Sequence, residues 1–275
     1  PMLVFDQHRR DLCSPEARAK HNTLLGKVDP PPVKLLNEFG QGSFVFGCEH
    51  AGNRIPKALG TLGLTKIEQT RHIAWDVGAA QLTEKLSEKL DSPAVLQRYS
   101  RLVFDCNRTA SHPGAFVVEA DGAHVSGNAA LSNADKHERE EAIYRPFHDA
   151  LSGLTDRRRW SGERFAYVAV HSFNDQVRGE TRPWHVGFLY NQRSRMSQFL
   201  INWFRNNTDY QVGDNQPYSP LDAVDHTLRV QAEVRSIPYT MVEVRNDLLR
   251  TEKQIATWAA LLARSLRAFV IDNNL

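Results

Sequence analysis

Phe165-Ala166-Tyr167-Val168-Ala169-Val170-His171 decides the fold. Six apolar or aromatic side chains in a row leave no polar face, as a strand covered on both sides requires. His171 then places an imidazole where that buried run stops. The arrangement recurs outward in both directions. Phe44-Val45-Phe46-Gly47-Cys48 is short, apolar and bounded by Gly42 and Gly52, with His50 just beyond it. Tyr239-Thr240-Met241-Val242-Glu243-Val244 reads as another strand, with a carboxylate inside it. Residues 185–190 make a further strand, and Val95-Leu96 and Leu102-Val103-Phe104 look like more strand material. Helical periodicity fills the gaps. Ala79, Leu82, Leu86 and Leu90 form one apolar face with Glu84 and Glu88 outward, and Pro93 stops the helix. Residues 135–151, 195–204, 221–235 and 255–270 carry similar patterns. Strands alternating with helices predict an α/β protein: a three-layer αβα sandwich with a mixed, largely parallel central sheet.

The 275 residues suffice for one substantial core and no stretch reads as a linker, so 1–275 is read as a single domain. Pro30-Pro31-Pro32 marks residues 1–40 as an irregular extension. Residues 110–133, rich in Gly, Ser, Ala and Asn, form a long loop that flanks a site. The 34 basic and 32 acidic side chains nearly cancel to +2, too little for a nucleic-acid stripe. Arg157-Arg158-Arg159 reads as solvated surface. No apolar run is long enough to span a membrane, and the start lacks the apolar centre of a secretory signal. Cys13, Cys48 and Cys106 are sparse and unpaired in spacing, which fits reduced thiols in a cytoplasmic protein.

His50, Asp76, His171 and Glu243 each sit where an apolar segment stops or a helix begins. In an α/β protein those places converge on one crevice. Catalytic zinc takes three ligands from imidazole and carboxylate and leaves one position open. Asp76 could equally cap the helix that follows it. Asn53, three residues after His50, competes as third ligand, but an amide binds zinc poorly beside a carboxylate. Glu49 precedes His50 on the strand and so points to the opposite face. Glu243 is expensive to bury unless paired or catalytic. It reads either as a structural partner of Arg245 or as the general base that activates water at the metal. Among the other histidines, His8, His21, His112, His124, His137 and His148 read as exposed, while His72 and His185 are possible supporting groups. Arg101, Arg108, Arg178 and Arg245 suit a small acidic substrate, since guanidinium grips carboxylate through two parallel hydrogen bonds. Asp105 could instead neutralise Arg108.

Five segments then fall into a known order: His50-Ala51-Gly52-Asn53-Arg54-Ile55-Pro56, Ile73-Ala74-Trp75-Asp76-Val77-Gly78-Ala79, Ser100-Arg101-Leu102-Val103-Phe104-Asp105-Cys106-Asn107-Arg108, Ala169-Val170-His171-Ser172-Phe173 and Val242-Glu243-Val244-Arg245-Asn246-Asp247-Leu248. Over residues 40–270 the chain resembles the N-formylglutamate amidohydrolase family. The resemblance implies a zinc-dependent exopeptidase-like (phosphorylase/hydrolase-like) fold and hydrolysis of an N-formyl or related N-acyl amino acid. The typical case is N-formyl-L-glutamate to formate and glutamate, a step that histidine degradation can use. By motif, His50 and His171 would be zinc ligands and Glu243 the acid/base. Asn107 and Arg108 resemble the pair that binds substrate carboxylate in metallocarboxypeptidase and aspartoacylase relatives. Asp76 resembles the helix-start glutamate ligand of zinc-dependent cell-wall amidases. Asn53 departs from the carboxypeptidase His-x-x-Glu pattern. Other divalent metals, another N-acyl amino acid or small peptide, and a non-catalytic small-acid-binding homologue remain the alternatives.

Overall fold

The computed structural model describes residues 24–275 apart from 178, 192–193 and 219–225. Four central strands run parallel in the order β3 (Ala94–Gln97), β2 (Phe44–Cys48), β6 (Ala166–Phe173) and β11 (Tyr239–Arg245). β1 (Val33–Leu36) adds antiparallel to β3, β9 (Val186–Leu189) antiparallel to β11, and β10 (Val212–Asp214) parallel to β9. The sheet is therefore mixed and largely parallel, as expected. Every residue of β2, β3 and β6 is buried, which is why these strands read as unbroken apolar runs rather than alternating ones.

Helices cover both faces. On one lie α1 (Ala79–Lys89), α4 (Arg195–Asn207) and α6 (Glu252–Asn273), which bury Leu82, Leu200 and Leu262 against Phe46, Val168 and Val242. A Thr251–Gln254 capping box starts α6. On the other face lie α3 (Arg145–Trp160) and α5 (His226–Gln231), with Phe147, Leu151 and Leu228 packed towards Val45, Tyr167 and Met241. A π-turn at Glu140–Tyr144 joins α3 to α2 (Asn133–Arg139), so the helical stretch expected over 135–151 runs through both.

Four expectations need correction. The irregular extension contains the edge strand β1. Leu102–Phe104 is not a strand: Val103 N–H donates to Ser100 O at 2.9 Å in a turn, and the three side chains supply core instead. Arg158 is buried. Its Nη1 donates to Phe44 O at 2.9 Å and its Nη2 to Gly40 O at 3.1 Å, pinning α3 to the start of β2. His148 is buried too, donating from Nε2 to Cys106 O at 2.8 Å. The loop over 110–133 carries a small hairpin of β4 (Glu119–Ala120) and β5 (Ala123–His124). A second hairpin, β7 (Gln176–Val177) and β8 (Glu180–Thr181), follows β6. Part of the helix expected over 221–235, together with His8, His21, Cys13 and Arg178, falls outside the described residues.

The entry to α1 is a constrained turn. Gly78 caps it at φ 82°, and a Cβ there would lie 2.4 Å from Leu249 Cβ. Gly78→Ala should therefore lower stability by about 2–4 kcal/mol through left-handed strain and overpacking. A drop of several degrees in the thermal midpoint is the expected reading. An unchanged midpoint would contradict this packing of the turn.

Candidate metal centre

Strand register builds the centre. Gly47 on β2 faces Ala169 on β6, and His171 on β6 faces Glu243 on β11. Glu49, the first residue after β2, comes level with His171. Glu49, His171 and Glu243 thus stand side by side at the carboxyl ends of three neighbouring strands. Glu49 Oε2 lies 2.8 Å from His171 Nε2. The expectation that Glu49 points away from the site is overturned. β2 ends at Cys48, so strict alternation no longer separates Glu49 from His50, and both side chains reach the centre. The His50 and His171 rings meet edge-on with centroids 4.8 Å apart.

Asp76 arrives from the turn before α1, its N–H donating to His50 O at 2.9 Å. It does not cap that helix; Gly78 holds the cap position with no side-chain bond. Its Oδ2 lies 2.8 Å from His171 Nδ1 and 3.4 Å from His50 Nδ1, and accepts from Ser172 N–H at 3.3 Å. The far nitrogen of His50, Nε2, donates to Asp105 Oδ1 at 2.7 Å. Each imidazole therefore has a carboxylate behind it and Asp76 in front.

That donor set fits a divalent cation. One ligand atom from each of His50, Asp76 and His171 lies within 4.8 Å of the others, and all three residues are buried. His50 Nδ1 and Asp76 Oδ1 make no hydrogen bond although they are shut off from solvent, an arrangement that costs stability unless something else satisfies them. Carboxylates on the outer nitrogens are what metal-bound imidazoles usually have. Asn53 stands outside the group, donating instead to Gln69 O at 2.9 Å.

Electrostatics point the same way. Burial works against ionisation of Asp76, yet His50 and His171 hold its carboxyl well below the ordinary range. Against burial again, Arg101 and His50 hold Asp105 well down, and His171 lowers Glu49. Burial opposes charge on His171 as well, but Glu49 and Asp76 raise it far above its usual value. A divalent ion on the inner side would replace protons as the counter-charge to three buried carboxylates.

The centre opens into a cavity of about 70 Å³, which Arg101, Asn107, Arg108 and Glu243 also line. Arg101 Nη2 donates to Asp105 Oδ2 at 2.7 Å, so one carboxylate orients both Arg101 and His50. Asn107 Oδ1 accepts from Thr227 N–H at 3.0 Å, fixing the amide, and Arg108 Nη1 donates to Asn107 O at 2.9 Å. Arg245 is not among the cavity's lining residues. Its guanidinium is spent on Asp247, with Nε donating at 2.8 Å and Nη2 at 3.3 Å, so neither its expected substrate contact nor a Glu243 partnership describes it. His72 Nδ1 lies 3.4 Å from Asp76 Oδ1, in the supporting position expected, whereas His185 Nδ1 accepts from Gln211 N–H at the far edge of the sheet. Tyr218, which no sequence pattern marks, also lines the cavity; its hydroxyl accepts from Arg182 Nη1 at 3.4 Å. Burial, then Glu243, pushes its pKa up to about 12, which keeps the hydroxyl protonated.

Three comparisons set this geometry beside known proteins. No curated protein sequence matches the chain. A gene product of Agrobacterium tumefaciens is similar in structure, with a TM-score of 0.86 and 34% identity over 90% of this chain and 99% of that one. An N-formylglutamate amidohydrolase from Ralstonia eutropha JMP134 superposes with a TM-score of 0.66 and 16% identity, covering 88% of this chain and 100% of that one; at that identity the likeness concerns the fold. The family model for N-formylglutamate amidohydrolase matches residues 42–250, a span that holds every metal-centre residue described above. On that match, the chain belongs to the N-formylglutamate amidohydrolase family.

Proposed function

We propose that this chain is a metal-dependent amidohydrolase for N-formyl or other N-acyl amino acids, with N-formyl-L-glutamate the first substrate to test. The observation that carries the reading is the buried His50–Asp76–His171 group, backed by Asp105 and Glu49 and flanked by Glu243 on the adjacent strand. Those three residues would hold the ion, zinc being the expected one. When bound, such an ion polarises an acyl carbonyl and makes water more acidic.

The chain's own groups supply the rest. Glu243 takes a proton from water as its oxygen adds to the formyl carbon. It returns that proton to the amine nitrogen as the carbon–nitrogen bond breaks, releasing formate and the free amino acid. Arg101 and Arg108, which both line the cavity, hold a substrate carboxylate, with the oriented Asn107 amide beside them. Tyr218, protonated and oriented by Arg182, can donate to an oxygen that gains charge in the cavity. The buried Cys48 and Cys106 thiols take no part, and a reducing cytoplasm would suit them.

Chelation should abolish formate release from N-formyl-L-glutamate, and added zinc should restore it. Activity that survives complete chelation would remove the metal from this reading. Glu243→Gln should keep its metal and lose about 10²–10⁴-fold in kcat, the usual size of general acid–base effects; full activity would remove the base assignment. Asp105→Asn leaves the ligands in place but weakens the support behind His50. It should cost ~10–100-fold in metal affinity, read by competition with a chromogenic chelator.

A further inference from the structure

The catalytic cavity is small for its proposed substrate: about 70 Å³, where pockets for small molecules usually hold ~300–1,000 Å³. A second cavity of about 280 Å³ lies beside it. Residues of the two alternate along the same segments. Asp76 lines the smaller and Val77 the larger; Ser172 lines the smaller and Asn174 the larger. Between them stands His72, on the wall of the larger cavity with Nδ1 3.4 Å from Asp76 Oδ1.

The charges in the larger cavity do not cancel. Arg71 is already committed, its Nη2 donating at 2.8 Å to both the carboxylate and the backbone oxygen of Asp121. Asn246 and Asn174 are neutral and bonded to each other at 2.7 Å. Arg250 is different. It is exposed and, among the described residues, makes no hydrogen bond or ion pair. One guanidinium is left uncompensated in a polar cavity next to the proposed reaction centre, and its planar fork is the side chain best suited to a carboxylate.

We propose that this cavity is the subsite for a second carboxylate of the substrate, gripped by Arg250. Resting on the amidohydrolase reading above, it makes Arg250 the residue that favours N-acyl derivatives of dicarboxylic amino acids over neutral ones. The substrate then extends past His72, with one carboxylate facing Arg101 and Arg108 and the other facing Arg250. The small catalytic cavity need hold only the acyl group and the atoms around the scissile bond.

Calorimetric titration tests this without turnover. Glutarate and its monoamide differ only in whether the second end is charged. The protein should bind glutarate at least about tenfold more tightly than the monoamide. Arg250→Gln should bring that ratio close to one, and Arg250→Lys should keep part of it. Equal binding of the two ligands by the unaltered protein, no binding of either, or a ratio that survives in a folded Arg250→Gln variant would overturn the subsite. The ratio of kcat/KM for N-formyl-L-glutamate over N-formyl-L-glutamine should collapse in the same variant. A protein that discriminates glutarate through Arg250 yet releases no formate would keep this subsite and defeat the proposed activity. Formate release with the ratio untouched would do the reverse.

Discussion

His171 is held between two carboxylates, and the rest of the site depends on that clamp. Glu49 and Asp76 lie 2.8 Å from its two nitrogens in a place that solvent does not reach. Buried charge is costly, and a cluster of this kind persists only when opposite charges face each other closely. The parallel register of β6 and β11 brings His171 and Glu243 level, and the chain leaving β2 sets Glu49 against His171. The turn before α1 then delivers Asp76 to the front, and the segment ending at Asn107 delivers Asp105 behind His50. Three carboxylates thus surround two imidazoles.

The two apolar layers serve that cage by fixing the strand ends. Tyr167 shows how closely packing and site are linked. A Cβ on Gly47 would lie 2.1 Å from the Tyr167 hydroxyl, which is itself 3.5 Å from Glu49 Oε1. A larger residue at Gly47 would displace the ring beneath Glu49 and so loosen the support of His171. Arg158 does comparable work at the other end of β2, satisfying the carbonyls of Phe44 and Gly40 from within the protein.

Much of the site was legible because a polar residue at the end of an apolar run is conspicuous. His50, His171 and Glu243 interrupt such runs, and Asp76 opens an amphipathic helix; the fold brings all four to one cavity. The supporting carboxylates were harder to read. Glu49 looked misdirected under strict alternation, a rule that lapses once β2 has ended. Arg108 is one of the charges that lower Asp105, as its place in the sequence suggests, but the Asp105 carboxylate also turns between His50 and Arg101, the first a contact across 55 residues that sequence spacing cannot foretell. Arg245 shares strand parity with Glu243, yet Asp247, two residues on, captures it. Leu102–Phe104 has strand composition and forms a turn, because core burial selects the same residues in either conformation. Tyr218 carries no local signal, since its role comes from meeting Arg182 and the cavity in space.

The most direct measurement of the central claim is anomalous diffraction at the zinc edge from crystals of the zinc-loaded protein. The account predicts one strong peak per chain, in contact with imidazole nitrogens of His50 and His171 and a carboxylate oxygen of Asp76. A map with no peak among those three residues, or with the zinc bound elsewhere while His171 stays clamped between Glu49 and Asp76, would contradict it.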